Sequence, residues 1–345
     1  MKERTKRTPS GRGRKTLKDV SAASGLALIT VSRALRRPET VQPETRQRVL
    51  DAIDEIGYIP NLTARSLISS RSDMVGVVIP LISSSIFSGY TQSLAAVLHE
   101  AGLQMILGVS DRWNQQEEDI VRTFIARQAD AIAVIGFTHS ERCRALLNNF
   151  DGPVAETMNI GRDPIDFAVG FDNYAASADM TRHLIARGYR NIATVGGLFE
   201  NNDQGADRHR AFLATMAEAG LSVPPEHIIE VPTPTTIASG WEVATKLLNG
   251  QNKPDAIYFQ AEIPAHGAVM ACINQGIGIP DDVAIAGFGD LELSELLPVP
   301  LTTLRIKARD IGEATGHLLV RRLQGEDSTE RSVDIGYELM IRAST

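Results

Sequence analysis

The spacing of hydrophobic and polar positions changes near residue 73 and divides the chain into two differently patterned parts. Before that point, apolar residues recur every three or four positions in short segments, which is typical of small helices. After it, short apolar runs alternate with amphipathic segments, which is typical of parallel strands covered by helices. The pattern therefore predicts an all-α head followed by an α/β body.

The head pattern predicts three helices around a small core. Thr16 suits the N-cap of the first helix, with Asp19 as its partner in a capping box. Gly25 allows a turn before a second helix over about 27–35, and a third helix over about 43–56 begins with a proline. The predicted core residues of the head are Val20, Ala23, Leu26, Val31, Leu35, Val49, Leu50, Ile53 and Ile56.

Two short helices joined at a glycine indicate a helix-turn-helix unit, whose second helix enters the major groove of duplex DNA. The N-terminal residues of that helix face base edges, and the polar residues that follow reach phosphates or bases. The candidate DNA-contacting residues of this unit are Thr16, Leu28, Ile29, Thr30, Ser32 and Arg33.

The segment 61–72 is too polar for a core helix, but its composition suits minor-groove binding. A short helix here would display small polar residues, an arginine and one apolar side chain able to wedge into a base step. An ordinary linker is the alternative. The candidate DNA-contacting residues of this segment are Asn61, Ala64, Arg65 and Leu67.

The distribution of charge also points to nucleic acid as a partner. Residues 1–71 hold 15 Lys and Arg against 7 Asp and Glu, whereas the remaining residues hold 20 against 35. A basic head on an acidic body suggests contact with DNA. We therefore expect a disordered basic tail over 1–15, a helix-turn-helix domain over 16–60 and a hinge over 61–72.

The body, residues 73–345, is longer than one hydrophobic core usually sustains, so the pattern predicts two lobes. Two doubly wound parallel-sheet lobes fit the spacing better than a closed barrel. The expected first lobe covers about 73–172 and 304–331, and the second covers about 173–303 and 332–345. The predicted strands are 74–80, 104–108, 131–136, 153–158, 168–171, 192–196, 256–260 and 283–288, and the predicted helices include 89–101, 115–127, 175–187, 206–219 and 237–248.

The sequence shows no catalytic or metal-binding constellation. Its two cysteines, Cys143 and Cys272, lie far apart, so neither a disulfide framework nor a metal site is predicted. The motifs CxxC, HExxH, GxSxG, GxGxxG and GxxxxGK[ST] are absent, and no cofactor or enzymatic activity is expected. Without an 18-residue apolar span or a signal peptide, we expect a cytoplasmic protein that associates with the nucleoid and not with membranes.

A ligand site is predicted where the strands of the body end. In open α/β sheets, ligands bind beyond the carboxyl ends of the strands. Hydroxyls, amides and aromatics follow several runs and suit a small polyhydroxylated molecule, while Arg208 is available for a carboxylate. A salt bridge from Arg208 to Asp203 or Asp207 is the alternative. The candidate effector-binding residues are Ser83, Ser84, Phe87, Arg112, Thr138, Arg208, Gln260, Glu262 and Asp290.

Residues 16–35 and 55–61 together resemble the head of the lactose-repressor (LacI/GalR) family of bacterial transcription regulators. The body resembles the periplasmic-binding-protein-like core of that family. Its matching landmarks are residues 86–87, 169–173, 187–189, 208–212, 279–288 and 300–303.

The resemblance implies a role for several head residues. Leu28 and Ile29 would occupy the positions that choose operator bases, and because both are apolar we expect contact with thymine methyl groups. The hinge would fold into a helix on the operator, with Leu67 as the wedge. The resemblance therefore implies a dimer on a palindromic operator, with 89–101 and 265–276 as the pairing surfaces. The C-terminus lacks a heptad pattern, so a coiled-coil tetramer is not expected.

The resemblance also implies a repressor that a small effector releases. The landmarks are most similar to the gluconate and 2-ketogluconate regulators, so a sugar acid is the leading effector class. The residues at 261–262 and 288–290 differ from those with which relatives often bind sugar hydroxyls. A neutral sugar and a ligand acting as co-repressor stay open. An enzyme with a fused DNA head lacks catalytic residues, and a solute-binding protein fits neither the head nor the missing signal peptide.

Overall fold

The computed structural model describes residues 15–37, 40–58, 71–82, 84–110, 114–197, 202–232, 235–326 and 330–345. The chain divides into two compact units, Met1–Ser72 and Asp73–Thr345. This division falls at the change in hydrophobic spacing, between the predicted hinge and the predicted body.

The head contains three helices, α1 (Leu17–Ser24), α2 (Leu28–Arg36) and α3 (Pro43–Ile56). Gly25 ends α1 with a φ of +66°, a left-handed conformation that strains other residues far more than glycine. The three helices pack around a buried core. This core contains Val20, Val31, Ala34, Val49, Ala52 and Tyr58.

Two predicted core residues of the head lie outside it. Ala23 is exposed and Leu50 is 38% exposed, whereas Ser24 and Ala52 point inward. Each residue of a helix is rotated by about 100° from the one before, so a one-residue error in phase moves a side chain off the buried face. Ser24 can be buried because its hydroxyl donates a hydrogen bond of 2.7 Å to the carbonyl of Val20.

The body alternates strands and helices along most of its length. Its elements are β1 (Met74–Ile79), α4 (Ser85–Glu100), β2 (Gln104–Val109), α5 (Asn114–Ala126), β3 (Ala131–Ile135), α6 (Glu141–Asn148), β4 (Val154–Thr157), β5 (Phe167–Gly170), α7 (Asn173–Ala186), β6 (Ile192–Gly197), α8 (Asp203–Glu218), a 3₁₀ turn (Pro225–His227), β7 (Ile228–Val231), α9 (Ile237–Leu248), β8 (Ala256–Phe259), α10 (Glu262–Gln275), β9 (Ala284–Ala286), α11 (Leu293–Leu296), β10 (Thr303–Ile306), α12 (Ala308–Leu323), β11 (Ser332–Asp334) and β12 (Tyr337–Met340).

Two parallel sheets form the two lobes, which confirms the predicted fold class. The first lobe has a six-stranded sheet in the order β11-β5-β4-β3-β1-β2, and the second has a four-stranded sheet in the order β7-β6-β8-β9. The pairs within both sheets are parallel. Their central strands are buried because helices cover both faces, and this explains the continuous apolar runs in the sequence.

Four strands were absent from the sequence-based prediction: β7, β10, β11 and β12. They are short and carry polar residues, so they lack the apolar run that marks the central strands. β10 and β12 form an antiparallel pair outside the two main sheets. β11 pairs with β5 of the first lobe, so assigning all of 332–345 to the second lobe was wrong for 332–334.

Glycines allow the helices of the second lobe to pack closely. α9 and α10 lie against each other, with Gly240 facing the carbonyl of Pro264 and Gly267 facing the carbonyl of Ile237. A methyl group at either glycine would overlap backbone atoms of the opposite helix. Backbone atoms cannot move aside as a flexible side chain can, so these two positions require glycine.

We expect Gly240→Ala to lower the free energy of unfolding of the body by about 1–3 kcal/mol, because overpacking outweighs the better helix propensity of alanine. Gly89→Ala on α4 is the control, since a methyl group there would meet Arg309 at an ordinary contact distance of 3.6 Å. Urea unfolding followed by circular dichroism measures both. Equal unfolding midpoints for the two variants would contradict the close packing.

Candidate DNA interface and ligand cleft

Helix α2 presents an exposed apolar pair at its N-terminus. Leu28 is 40% exposed and Ile29 is 72% exposed, whereas Val31 and Ala34 of the same helix face the core. Arg33 is exposed on α2 as well. Large exposed aliphatic side chains are suited to contact with thymine methyl groups, so the described head is compatible with the predicted mode of base contact.

Thr16 and Asp19 form the predicted capping box. The backbone amide and the hydroxyl of Thr16 donate to Oδ2 of Asp19 at 2.7 Å and 2.9 Å. The hydrogen bond from the Thr16 amide lowers the pKa of the Asp19 carboxyl. The capping box is confirmed, and contact of Thr16 with DNA stays a prediction. The hinge candidates Asn61, Ala64, Arg65 and Leu67 lie outside the described residues.

A cavity lies between the two lobes of the body. It contains about 810 Å³ of empty space, part of it open to solvent. Its wall is built by residues that follow β1, β4 and β5 in the first lobe and β8 and β9 in the second, together with the start of α7 and α8. The cavity therefore occupies the position that the strand-end rule predicts.

Five of the nine predicted effector residues line this cavity. They are Ser84, Phe87, Arg208, Gln260 and Glu262. Ser83 and Arg112 lie outside the described residues. Thr138 and Asp290 are described but do not lie in the cavity wall, so their placement there is corrected.

Arg208 on α8 brings a positive charge to the cavity wall. Its Nη1 donates to Oδ1 of Asn173 at 3.1 Å, and its guanidinium carbon lies 4.5 Å from the centre of the Phe288 ring. The carboxylates of the alternative salt-bridge partners bind other groups, Asp203 to Asn159 and Asp207 to Arg162. An amide and an aromatic face thus help to position the guanidinium in the wall of the cavity.

Gln260 contributes a buried amide to the same wall. Its Nε2 donates to the hydroxyl of Thr194 at 3.0 Å, which orients the side chain. Its Oε1 is buried and has no hydrogen-bond partner among the described residues. A buried acceptor without a partner is unfavourable, so a ligand hydroxyl in the cavity would satisfy it.

Glu262 lines the cavity, but its carboxylate is engaged behind the wall. It accepts hydrogen bonds from the hydroxyls of Ser294 and Thr303, the second at 2.6 Å. Burial raises the pKa of Glu262 to about 7, and the negative charge of Asp290 adds to that effect, while both hydroxyls oppose it. Its main contribution is to hold α11 and β10 against the start of α10.

Asp290 and Thr138 have structural partners instead of a place in the cavity. The Asp290 carboxylate lies 2.6 Å from Nε of Arg305 and 2.7 Å from Nη1 of Arg342. These two arginines come from β10 and from the C-terminal segment, so the ion pairs tie both to the loop after β9. The Thr138 hydroxyl donates to Oδ1 of Asp203 at 3.2 Å, a contact between the two lobes.

A hydrogen-bond network connects Arg208 with this contact between the lobes. Oδ1 of Asp203 also accepts from the amide of Phe137 at 3.1 Å, and Oδ2 accepts from Asn159 at 2.7 Å. Nδ2 of Asn173 donates to Oδ1 of Asn159 at 3.1 Å, and Oδ1 of Asn173 accepts from Arg208. The network thus runs from the cavity wall to the contact that joins the lobes.

Sequence reasoning missed a buried polar cluster in the first lobe. Burial lowers the pKa of His139, but hydrogen bonding to Glu117 and the carboxylate of Glu156 outweigh it and raise this pKa to about 9. Burial and then the negative charge of Glu117 raise the pKa of the Cys143 thiol to about 12. The residues are separated by up to 39 positions and match no metal-binding spacing, so no signal in the sequence pointed to them.

We expect Glu262→Gln to abolish a pH dependence of stability. Because the folded pKa of about 7 lies above the ordinary value of 4.5, the free energy of unfolding falls as the pH rises from about 5 to 7. Glutamine cannot ionise, so the free energy of unfolding of the variant relative to that of the wild type should rise by about 3 kcal/mol between pH 5 and pH 8. Urea unfolding at several pH values measures this, with the exposed Glu218→Gln as control. Parallel pH profiles for Glu262→Gln and the wild type would contradict the shifted pKa.

Among the described residues, no helix is both long enough and apolar enough to cross a membrane.

Comparison with protein families gives two matches. Residues 16–61 match the bacterial regulatory proteins of the lacI family, and residues 181–345 match a periplasmic binding protein-like domain. The first match covers the three helices of the head, and the second covers most of the second lobe with the C-terminal elements.

Individual relatives match nearly the whole chain. The HTH-type transcriptional regulator GntR of Pseudomonas aeruginosa is 31% identical over 333 residues, which are 96% of each protein. The solved structure of a LacI-family transcriptional regulator from Silicibacter pomeroyi is 30% identical, with a TM-score of 0.90, and covers 96% of this chain and 99% of that one.

A third relative is solved with a sugar. The complex of the transcriptional regulator CelR with cellobiose is 25% identical, with a TM-score of 0.69, over 96% of this chain and 100% of that one. With the head, the two parallel-sheet lobes and the cavity between them, these matches lead to one conclusion. The chain belongs to the lacI family of bacterial regulatory proteins, as a DNA-binding transcriptional regulator with a periplasmic-binding-protein-like body.

Proposed function

We propose that the protein is a repressor that binds a palindromic operator as a dimer and leaves it when a sugar acid occupies the cavity. The observation that carries this proposal is Arg208, a guanidinium in the wall of a cavity between the lobes of a DNA-binding regulator. Gluconate and 2-ketogluconate are the leading effectors. The protein acts in the cytoplasm and catalyses no reaction.

The dimer is supported by the limited reading surface of one head. α2 offers few residues to base edges, so two heads on a palindrome are needed for useful specificity. α10 carries Met270 and Ile273, which are 43% and 41% exposed, and so offers apolar surface for pairing with a second copy. We propose that α10 and α4 form this surface and that Asn61, Ala64, Arg65 and Leu67 bind the minor groove from the hinge.

The sugar acid is supported by the chemistry of the cavity wall. Arg208 can bind a carboxylate through two parallel hydrogen bonds, and Oε1 of Gln260 is an acceptor for a hydroxyl. Phe87 and Phe288 offer apolar surface to the carbon skeleton. The relative from Pseudomonas aeruginosa bears the name GntR, and the landmark 169–173 is similar to the gluconate regulators.

The network that joins Arg208 to Asp203 supports a mechanism in which ligand binding makes the repressor leave the operator. A ligand bound more tightly by one arrangement of the lobes shifts the protein toward it, and a difference of about 5.5 kcal/mol changes a 1:99 population into 99:1. The change at the lobe contact would separate the two hinges and weaken their hold on the minor groove. The opposite preference would make the same ligand a co-repressor.

A neutral sugar is the second candidate effector. The observation that favours it is the relative CelR, whose structure contains cellobiose. Here Arg208 would bind a ring hydroxyl instead of a carboxylate.

We expect Arg208→Ala to leave DNA binding unchanged while reducing release by gluconate at least tenfold, because the charge that binds the carboxylate is lost. Fluorescence anisotropy on DNA selected by the protein from a random pool, with and without gluconate or 2-ketogluconate, measures both effects. Arg182→Ala, an exposed arginine of α7, is the control. Release of Arg208→Ala at the wild-type concentration of the acid would refute the role of Arg208.

We expect Arg33→Ala to weaken binding to all DNA sequences and to reduce the slope of log affinity against log salt concentration by about 1 for each phosphate contact removed. Arg33 is exposed on α2, whereas the control Arg182 lies on the body. An unchanged slope in a salt titration would show that Arg33 does not contact phosphate.

A further inference from the structure

Four side chains with metal-ligating atoms meet inside the first lobe, away from the wall of the cavity. Glu117 lies on α5, His139 follows β3, Cys143 lies in the first turn of α6 and Glu156 lies on β4. Glu117, His139 and Cys143 each offer an atom that could bind a metal ion, and these atoms lie within 4.8 Å of one another. This spacing is compatible with ligands around one ion.

The imidazole of His139 stands between two carboxylates. Its Nδ1 lies 3.0 Å from each oxygen of Glu117, and its Nε2 lies 3.4 Å from Oε1 of Glu156. The side chains of His139 and Glu156 are completely buried. If Nδ1 binds a metal ion, Glu156 faces Nε2, and if Nε2 binds it, Glu117 faces Nδ1. A carboxylate at the second nitrogen is common for histidine ligands of metals.

Two buried atoms of the cluster face each other without a well-formed hydrogen bond. Nε2 of His139 and Oε1 of Glu156 are 3.4 Å apart, and neither makes a hydrogen bond of good geometry within the described part of the chain. Arg144 also lies near this carboxylate, with its Nη2 3.7 Å from Oε1. Glu156 therefore faces the imidazole nitrogen that is turned away from Glu117.

We propose that Glu117, His139 and Cys143 bind a divalent transition-metal ion, best matched by Zn²⁺, and that Glu156 orients the imidazole. One carboxylate oxygen, one imidazole nitrogen and one thiolate are a ligand set that Zn²⁺ accepts in tetrahedral geometry, with a fourth position for water or a second oxygen. Mg²⁺ and Ca²⁺ prefer oxygen ligands and fit the thiolate and imidazole poorly.

The surrounding contacts hold the ligands in place. The hydroxyl of Ser140 accepts from the amide of Cys143 at 3.0 Å and donates to Glu118 at 3.2 Å, which joins the start of α6 to α5. His139 directly follows Thr138, whose hydroxyl bonds to Asp203 of the second lobe. A bound ion would therefore stiffen the segment of the first lobe that contacts the second.

Titration of the full-length, chelator-treated protein with Co²⁺ alone tests the proposal. Tetrahedral Co²⁺ bound by a thiolate absorbs in the visible range and gives a sulfur-to-metal charge-transfer band, and we expect one equivalent that Zn²⁺ displaces. Cys143→Ser should lose the charge-transfer band, whereas Cys272→Ser, at the buried cysteine of the second lobe, should keep it. A wild type without the band, or an unchanged band in Cys143→Ser, would overturn the proposal.

Two further measurements do not depend on whether Cys143→Ser folds. X-ray absorption of the Zn²⁺-loaded wild type should show one sulfur at about 2.3 Å among lighter ligands, and its absence would reject the thiolate. Glu156→Gln should weaken Zn²⁺ affinity roughly 10-fold to 100-fold in competition with a chelating dye. Unchanged affinity would overturn the role of Glu156 in orienting the imidazole.

Discussion

The carboxylate of Asp203 joins the two lobes of the body through hydrogen bonds. It accepts hydrogen bonds from Phe137, Thr138 and Asn159, so one side chain of the second lobe joins three residues of the first. Gly136 leaves room for it, with a φ of +73° and no side chain to overlap the carboxylate. Each such hydrogen bond adds only about 1 kcal/mol because water can replace it. A polar contact of this kind can therefore be exchanged when the lobes move.

The acidic residues near the cavity do not oppose an anionic ligand as strongly as their number suggests. Asp290 lies between two arginines, and Glu262 is bound by two hydroxyls and has a pKa of about 7. Arg208 contacts an amide and an aromatic ring in the cavity wall. The negative charges of Asp290 and Glu262 are thus compensated by groups outside the cavity, which is compatible with the proposed carboxylate ligand.

The sequence predicted features that depend on neighbouring residues better than contacts between distant parts of the chain. The central strands were predicted because burial on both faces requires apolar runs. Phe87 and Arg208 were predicted to lie near the cleft because strand ends converge there, and both line the cavity. Thr138 and Asp290 were misplaced because their partners, Asp203 and Arg305, come from other elements. The cluster around His139 was missed for the same reason, and short polar strands such as β11 carry no apolar run.

Thermal unfolding of the protein against a panel of gluconate, 2-ketogluconate, neutral sugars and purines tests the central claim most directly. A ligand that binds only the folded form raises the unfolding midpoint, increasingly so as its concentration exceeds the dissociation constant. Our account predicts a concentration-dependent rise for the sugar acids that Arg208→Ala loses. A rise confined to neutral sugars or purines, with none for any acid, would contradict it.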